Sequence, residues 1–160
     1  MQFGRRGWDK APAEPAGVLL ASAGTPFSGA AVRRACELAA GEPVAVLTIL
    51  KVYGSSFGLP NPGLLPTRRE RDEQYAIVRR AIAAVERRGG TADGQITATR
   101  SAGRTIAKAA RRRRVRYVVM DDSAPSGMRR VTEGAVTATV RRRLGDAATL
   151  ELVGPGARIS

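Results

Sequence analysis

The chain contains no histidine and a single cysteine, Cys36. These two absences exclude Ser-His and Cys-His catalytic arrangements, histidine-ligated metals and cysteine-built zinc or iron–sulfur sites. A lone thiol also rules out an intramolecular disulfide and suits a reducing compartment. Its place in a helical pattern makes Cys36 a small core residue. Aromatic residues amount to 4% of the chain, and none interleaves with the basic runs to stack on nucleic-acid bases. No apolar stretch approaches the ~20 residues of a membrane span, and the N-terminal segment MQFGRRGWDKAPAEPAG holds no apolar run of secretory length. The expectation is a cytoplasmic protein with no catalytic residues, no bound metal and no membrane insertion: not an enzyme.

What is abundant is positive charge. Lys and Arg number 27 against 14 Asp and Glu, a net +13, which favours a polyanionic partner. Only Lys10, Lys51 and Lys108 are lysines, however, and an arginine-heavy excess is also what a biased composition produces. The basic surface is therefore read as solvated, with nucleic-acid association as the alternative. The length of 160 residues fits one domain with one sizeable core. Residues 1–16 mix Gly, Pro and charges and read as a mobile tail on which Phe3 and Trp8 could dock. The domain runs over 17–153, and 154–160 form a C-terminal tail.

Within the domain, short apolar runs alternate with helical patterns. Val18 to Ala21 is a continuous apolar run suited to a strand covered on both faces. The following Ser22-Ala23-Gly24-Thr25-Pro26 offers a tight turn, Thr25 as a helix N-cap and Pro26 at the first helical position. Val32, Ala35, Cys36 and Ala39 mark the buried face of that helix, and Val44 to Leu50 form a second buried strand. Residues 51–66, rich in Gly and Pro, read as a long loop. Thr67 and Glu70 then match a capping box. The helix they open places Tyr75, Val78, Ile82 and Val85 on one face and stops at Gly89-Gly90. Further on come a strand at Gln95 to Thr99 and a helix with Ile106, Ala109 and Ala110 inward and Arg111 to Arg114 at its end. A strand over 115–120, a loop over 121–130, a helix bearing Val136, Val140 and Leu144, and a last strand over 149–153 complete the order. Strict alternation implies parallel pairing: a doubly wound, mostly parallel five-stranded sheet with helices on both faces.

This layout resembles the universal stress protein family over about residues 17–153. The closest stretch is Ile106 and Ala110 leading to Val115 and then Tyr117-Val118-Val119-Met120, which looks like the family's Ile-x-x-x-Ala helix and apolar strand ending in Met. ATP-binding members follow that strand with Gly-x-x-Gly-x9-Gly-Ser/Thr, because bare backbone amides must approach the phosphates. The corresponding positions here are Asp121, Ala124, Gly134 and Ala135, and only Gly134 keeps the pattern. Carboxylates at Asp121 and Asp122 would repel phosphates, although at a strand's C-terminal end the pair could also hold a cation or cap the next turn. The family's Asp after the first strand falls on Ala23, whereas Gly24 and Thr25 match its Gly-Ser.

The resemblance thus implies a degenerate nucleotide site built from Ser22, Ala23, Gly24, Thr25, Ile49, Met120, Asp121, Ala124, Gly127, Gly134 and Ala135. It implies a non-catalytic stress-response module that binds ATP weakly or not at all. An adenine-nucleotide binder with an altered phosphate loop around Gly24, Thr25, Gly127 and Gly134, and a basic nucleic-acid-associated protein, are the alternatives. The resemblance also implies a homodimer paired through the C-terminal strand, beside a regulatory protein partner the sequence does not identify.

Overall fold

The aliphatic runs become strands and the segments between them helices because each strand interior must hide both faces from water. The computed structural model describes residues 8, 11–52, 66–122 and 128–154, with side chains in the last segment from 135 onward. In chain order the elements are β1 (Val18–Ser22), α1 (Gly29–Ala39), β2 (Val44–Lys51), α2 (Arg68–Arg87), β3 (Ala92–Thr99), α3 (Ala102–Arg113), β4 (Tyr117–Asp121), α4 (Met128–Leu144) and β5 (Thr149–Val153). The strands lie in the order β3-β2-β1-β4-β5, and all four neighbouring pairs are parallel. The doubly wound sheet expected from the sequence is therefore present.

Alternation along each strand divides the interior in two. Leu19, Ala21, Leu47, Ile49, Val118 and Met120 point to the face covered by α3 and α4. Val18, Leu20, Val44, Val46 and Val119 point to the face covered by α1 and α2. Leu19, Leu20, Leu47 and Ile49 are fully buried, each contributing about 1.5–3 kcal/mol of apolar burial. Of the predicted helix faces, Tyr75, Val78 and Val85 are buried while Ile82 is only half-buried, and Val140 and Leu144 are buried beside a half-buried Val136. Cys36 is half-buried against the α1–α2 core rather than enclosed in it.

Element boundaries show where local signals gave way. The capping box forms as read: Thr67 N–H donates to Glu70 Oε2 at 2.7 Å and Glu70 N–H to Thr67 Oγ1 at 3.2 Å. Thr25 is not an N-cap and Pro26 is not helical, because α1 begins at Gly29 with Ser28 as its cap. Thr25 is instead held in a turn by Ser22. β3 starts at Ala92, three residues before the alternation becomes visible. β4 starts at Tyr117, not Val115. The preceding Arg114 adopts a left-handed conformation, φ 52°, that ends α3, and Val115 N–H returns to the Ala110 carbonyl. The expected 51–66 loop falls mostly on residues 53–65, outside the described residues, as do Phe3, residues 123–127 of the expected 121–130 loop, and residues 155–160 of the tail. Ahead of the domain, the Trp8 carbonyl accepts the Ile96 N–H at 3.0 Å, and the Trp8 ring lies 5.4 Å from that of Tyr75.

Candidate functional site

In a doubly wound sheet the carboxyl ends of the strands are where ligands meet side chains and turn amides. At the end of β1, Ser22 organises the turn. Its Oγ accepts from Gly24 N–H at 3.2 Å and Thr25 N–H at 2.9 Å, and donates to the Thr25 carbonyl at 2.5 Å. Gly24 sits at φ +111°, and a Cβ there would stand 3.1 Å from the Ile49 carbonyl at the end of β2. Only glycine fits both the dihedral and the approach. From α2, Gln74 Nε2 donates to the Gly24 carbonyl at 3.0 Å. The buried atoms Gln74 Oε1 and Thr48 Oγ1 find no partner among the described residues.

Asp121, at the end of β4, is the group that defines the electrostatics. Its Oδ2 accepts the Ser28 N–H at 2.9 Å, and its Oδ1 accepts the Ser28 hydroxyl. Ser28 Oγ in turn accepts the Ala31 N–H at 3.0 Å, completing the α1 cap. A carboxylate is thus fixed where the unpaired amides of a helix start favour negative charge. The neighbouring Asp122 is exposed and gives its backbone N–H to the Val153 carbonyl at 2.8 Å. Asp121 therefore supports the cap of α1, an element 93 residues distant in sequence; the turn that follows it lies outside the described residues. Among the described residues no group of three or more His, Cys, Asp or Glu could hold a metal ion.

Ser22, Ala23, Thr25, Met120 and Asp121 line one cleft at the sheet edge, closed on its far side by Val136 and Thr137 of α4. Its volume is about 20 Å³, room for one water molecule; nucleotide pockets are some hundreds of Å³. The described lining presents one carboxylate, already hydrogen-bonded, and no cation. Of the other residues expected here, Gly24 and Ile49 meet beside the cleft. Gly134 lies within α4 and Ala135 is exposed on it. Ala124 and Gly127 are outside the described residues. Two contributors escaped the sequence reading. Ser28 carries a recognisable cap signal before Gly29, but Thr25-Pro26 offered a competing one. Gln74 reads as one more polar residue of an amphipathic helix.

The arginine run at the end of α3 also divides. Arg113 is buried: Nη1 donates to Asp93 Oδ1 at 2.7 Å, Nη2 to Asp93 Oδ2 at 2.6 Å and Nε to the Glu14 carbonyl at 2.5 Å. It is an internal clamp, not part of a surface run of four. Arg111 spans to the end of α4, donating to the Arg143 and Leu144 carbonyls at 2.5 and 3.3 Å. At the opposite side of the sheet Arg34 joins α1 to β5 through Glu151 at 3.2 Å. Hydrogen bonds to Glu151 and then Glu37 raise its pKa.

No helix among the described residues is long and apolar enough to cross a membrane. No curated protein sequence matches the chain. Solved structures with the same fold include a universal stress protein in complex with cAMP, 19% identical with TM-score 0.60, covering 88% of this chain and 98% of that one. They also include a universal stress protein family member from Burkholderia pseudomallei, 17% identical with TM-score 0.62, at 89% and 98% coverage. A third is the universal stress protein from Archaeoglobus fulgidus in complex with dAMP, 14% identical with TM-score 0.57, at 86% and 96% coverage. The sequence profile of the universal stress protein family matches residues 17–144, from the start of β1 to the end of α4. With the parallel order β3-β2-β1-β4-β5 and the turn at Gly24 already in place, the chain belongs to the universal stress protein family.

Proposed function

We propose that this chain is a non-catalytic regulatory module of the stress response in which ATP binding is weak or lost. One observation carries the reading: the Asp121 carboxylate occupies the amide and hydroxyl of Ser28 at the head of α1. It stands beside a cleft of about 20 Å³ whose described lining offers no cation to a phosphate. A nucleotide phosphate entering there would meet a fixed negative charge at close range. The absence of histidine and the single thiol leave no conventional nucleophile–base pair, which supports a role in binding rather than turnover. The module is assigned to the cytoplasm and to a homodimer formed through β5, whose outer edge has no strand beside it among the described residues. Its regulatory partner is a protein.

A second reading, an adenine-nucleotide binder with an altered phosphate loop, draws support from the neighbours solved with cAMP and dAMP. The glycine turn Gly24-Thr25 supports it too. Thermal unfolding with and without millimolar Mg-ATP, AMP or cAMP separates the two. A ligand present at about 100 times its dissociation constant adds about 2.7 kcal/mol to the folded state. No shift is expected for the wild type; a shift of that size with ATP would overturn the first reading in favour of the second.

A further inference from the structure

The two helical layers differ in charge. α3 and α4 cross closely, since a Cβ on Gly103 would stand 2.8 Å from Thr139 Cβ. Arg111 also bridges to the end of α4, so the pair presents one continuous surface. Exposed on it are Arg104, Lys108, Arg111 and Arg112 from α3 and Arg141, Arg142 and Arg143 from α4, with no carboxylate among the described side chains of either helix. The opposite layer is mixed, with Glu37, Glu70, Asp72, Glu73 and Glu86 set among the arginines of α1 and α2. Among the described helical side chains only α1 and α2 carry acids; Glu133 of α4 lies outside them.

Arg104, Lys108 and Arg112 form a row at four-residue steps, about 6 Å each along a helix. Successive phosphates on one strand of a duplex rise about 3.4 Å, so the row keeps pace with every second phosphate. None of the three makes an ion pair with a described residue, whereas buried Arg113 on the inner side of the same helix is fully engaged. The face carries no aromatic residue on which an unpaired base could stack and no Asn or Gln to read a base edge. We infer that the α3–α4 face binds the phosphodiester backbone of duplex nucleic acid without reading its sequence. This surface lies on the helical layer, and its role does not depend on the nucleotide cleft.

The test is fluorescence anisotropy with a short labelled duplex of mixed sequence, titrated from about 50 to 200 mM salt. Two full-length variants each lose three charges: Arg104→Gln/Lys108→Gln/Arg112→Gln on α3 and Arg79→Gln/Arg80→Gln/Arg87→Gln on α2. All six side chains are exposed, and far-ultraviolet circular dichroism verifies that both variants are folded. With about 0.9 counterions released per phosphate neutralised, the α3 variant should reduce the slope of log affinity against log salt by about 2.7, and the α2 variant by less than about 1. Equal losses in the two variants would mean that net charge alone acts, and would overturn the assignment. So would a wild type that fails to bind at the lowest salt, a single strand bound more tightly than the duplex, or a poly-glutamate chain that competes as well as unlabelled duplex.

Discussion

Replacing Asp93 with Ala should destabilise the protein more than replacing Arg113 with Met, although both break the same ion pair. The reason is what each change leaves behind. The Arg113 side chain is 3% exposed and that of Asp93 is 40% exposed. Without Asp93, a guanidinium stays enclosed with the Glu14 carbonyl as its remaining partner among the described contacts. Without Arg113, the carboxylate that remains is open to water. Removing one partner of a buried pair costs about 3–5 kcal/mol. The partial exposure of Asp93 lets some water in and places Asp93→Ala near the lower end, at about 3 kcal/mol. Met keeps the aliphatic packing of the arginine stem, and the acceptors it abandons can be hydrated, so Arg113→Met should cost about 1–2 kcal/mol. Against a typical domain stability of about 5–15 kcal/mol, the Asp93 change removes between a fifth and three-fifths of the total. Equilibrium urea unfolding with an unchanged m-value measures both. The double variant should match Arg113→Met, because once the guanidinium is gone Asp93 has nothing left to neutralise. Equal single-variant costs, the reverse order, or a double variant equal to the sum would refute the reasoning.

Two further outcomes follow from the edge strand and the thiol. In β5, Thr149 donates inward to the Arg116 carbonyl and Val153 accepts inward from Asp122, so the alternate residues Leu150 and Leu152 aim their backbone groups at the free edge. Leu152→Pro should therefore abolish a β5-mediated dimer while leaving the β4 ladder intact; light scattering reporting an unchanged dimer would remove β5 as the interface. Burial raises the Cys36 pKa, with Glu37 adding to the rise and Arg88 opposing it. A raised folded-state pKa contributes stability that is full below the unfolded-state value and is lost as pH climbs through the folded-state one. Alkylation of native Cys36 should accordingly need a higher pH than alkylation of the urea-unfolded chain, and coincident profiles would contradict the assignment.

The strands and the sheet were legible because aliphatic runs of strand length, separated by helical periodicity, have few other ways to bury themselves. The capping box at Thr67 was legible for the opposite reason: both of its hydrogen bonds are local, closing within three residues. What escaped was whatever depends on a distant partner. Ser28 outcompetes Thr25 as the α1 cap because Asp121 supports it from β4, while Ser22 takes the Thr25 amide for the preceding turn. Arg113 hid among identical neighbours. Yet Ile106 and Arg113 are seven residues apart, two helical turns, so the phase of the buried stripe already passes through Arg113. Ala92-Asp93-Gly94 has little strand propensity of its own and is recruited by pairing with Val44, Ala45 and Val46. The cleft was the least legible part: the sequence supplies its residues, but the packing of Val136 and Thr137 against the sheet edge, a long-range contact, helps set the room that its described lining leaves.

The contact made by Trp8 has a consequence for how copies of this chain can add to one another. An open parallel sheet has two rims, at β3 and at β5, and a molecule that could grow at both would polymerise end to end. Here the Ile96 amide on the β3 rim is already taken by the Trp8 carbonyl, and the indole shields the ground above it by packing on Tyr75. The proposed pairing uses the other rim, at β5. Joining through one self-complementary rim, as proposed for β5, would satisfy both copies at once and stop at two instead of propagating into fibres. In that proposed arrangement Trp8 would act as a terminator at one position of the β3 rim.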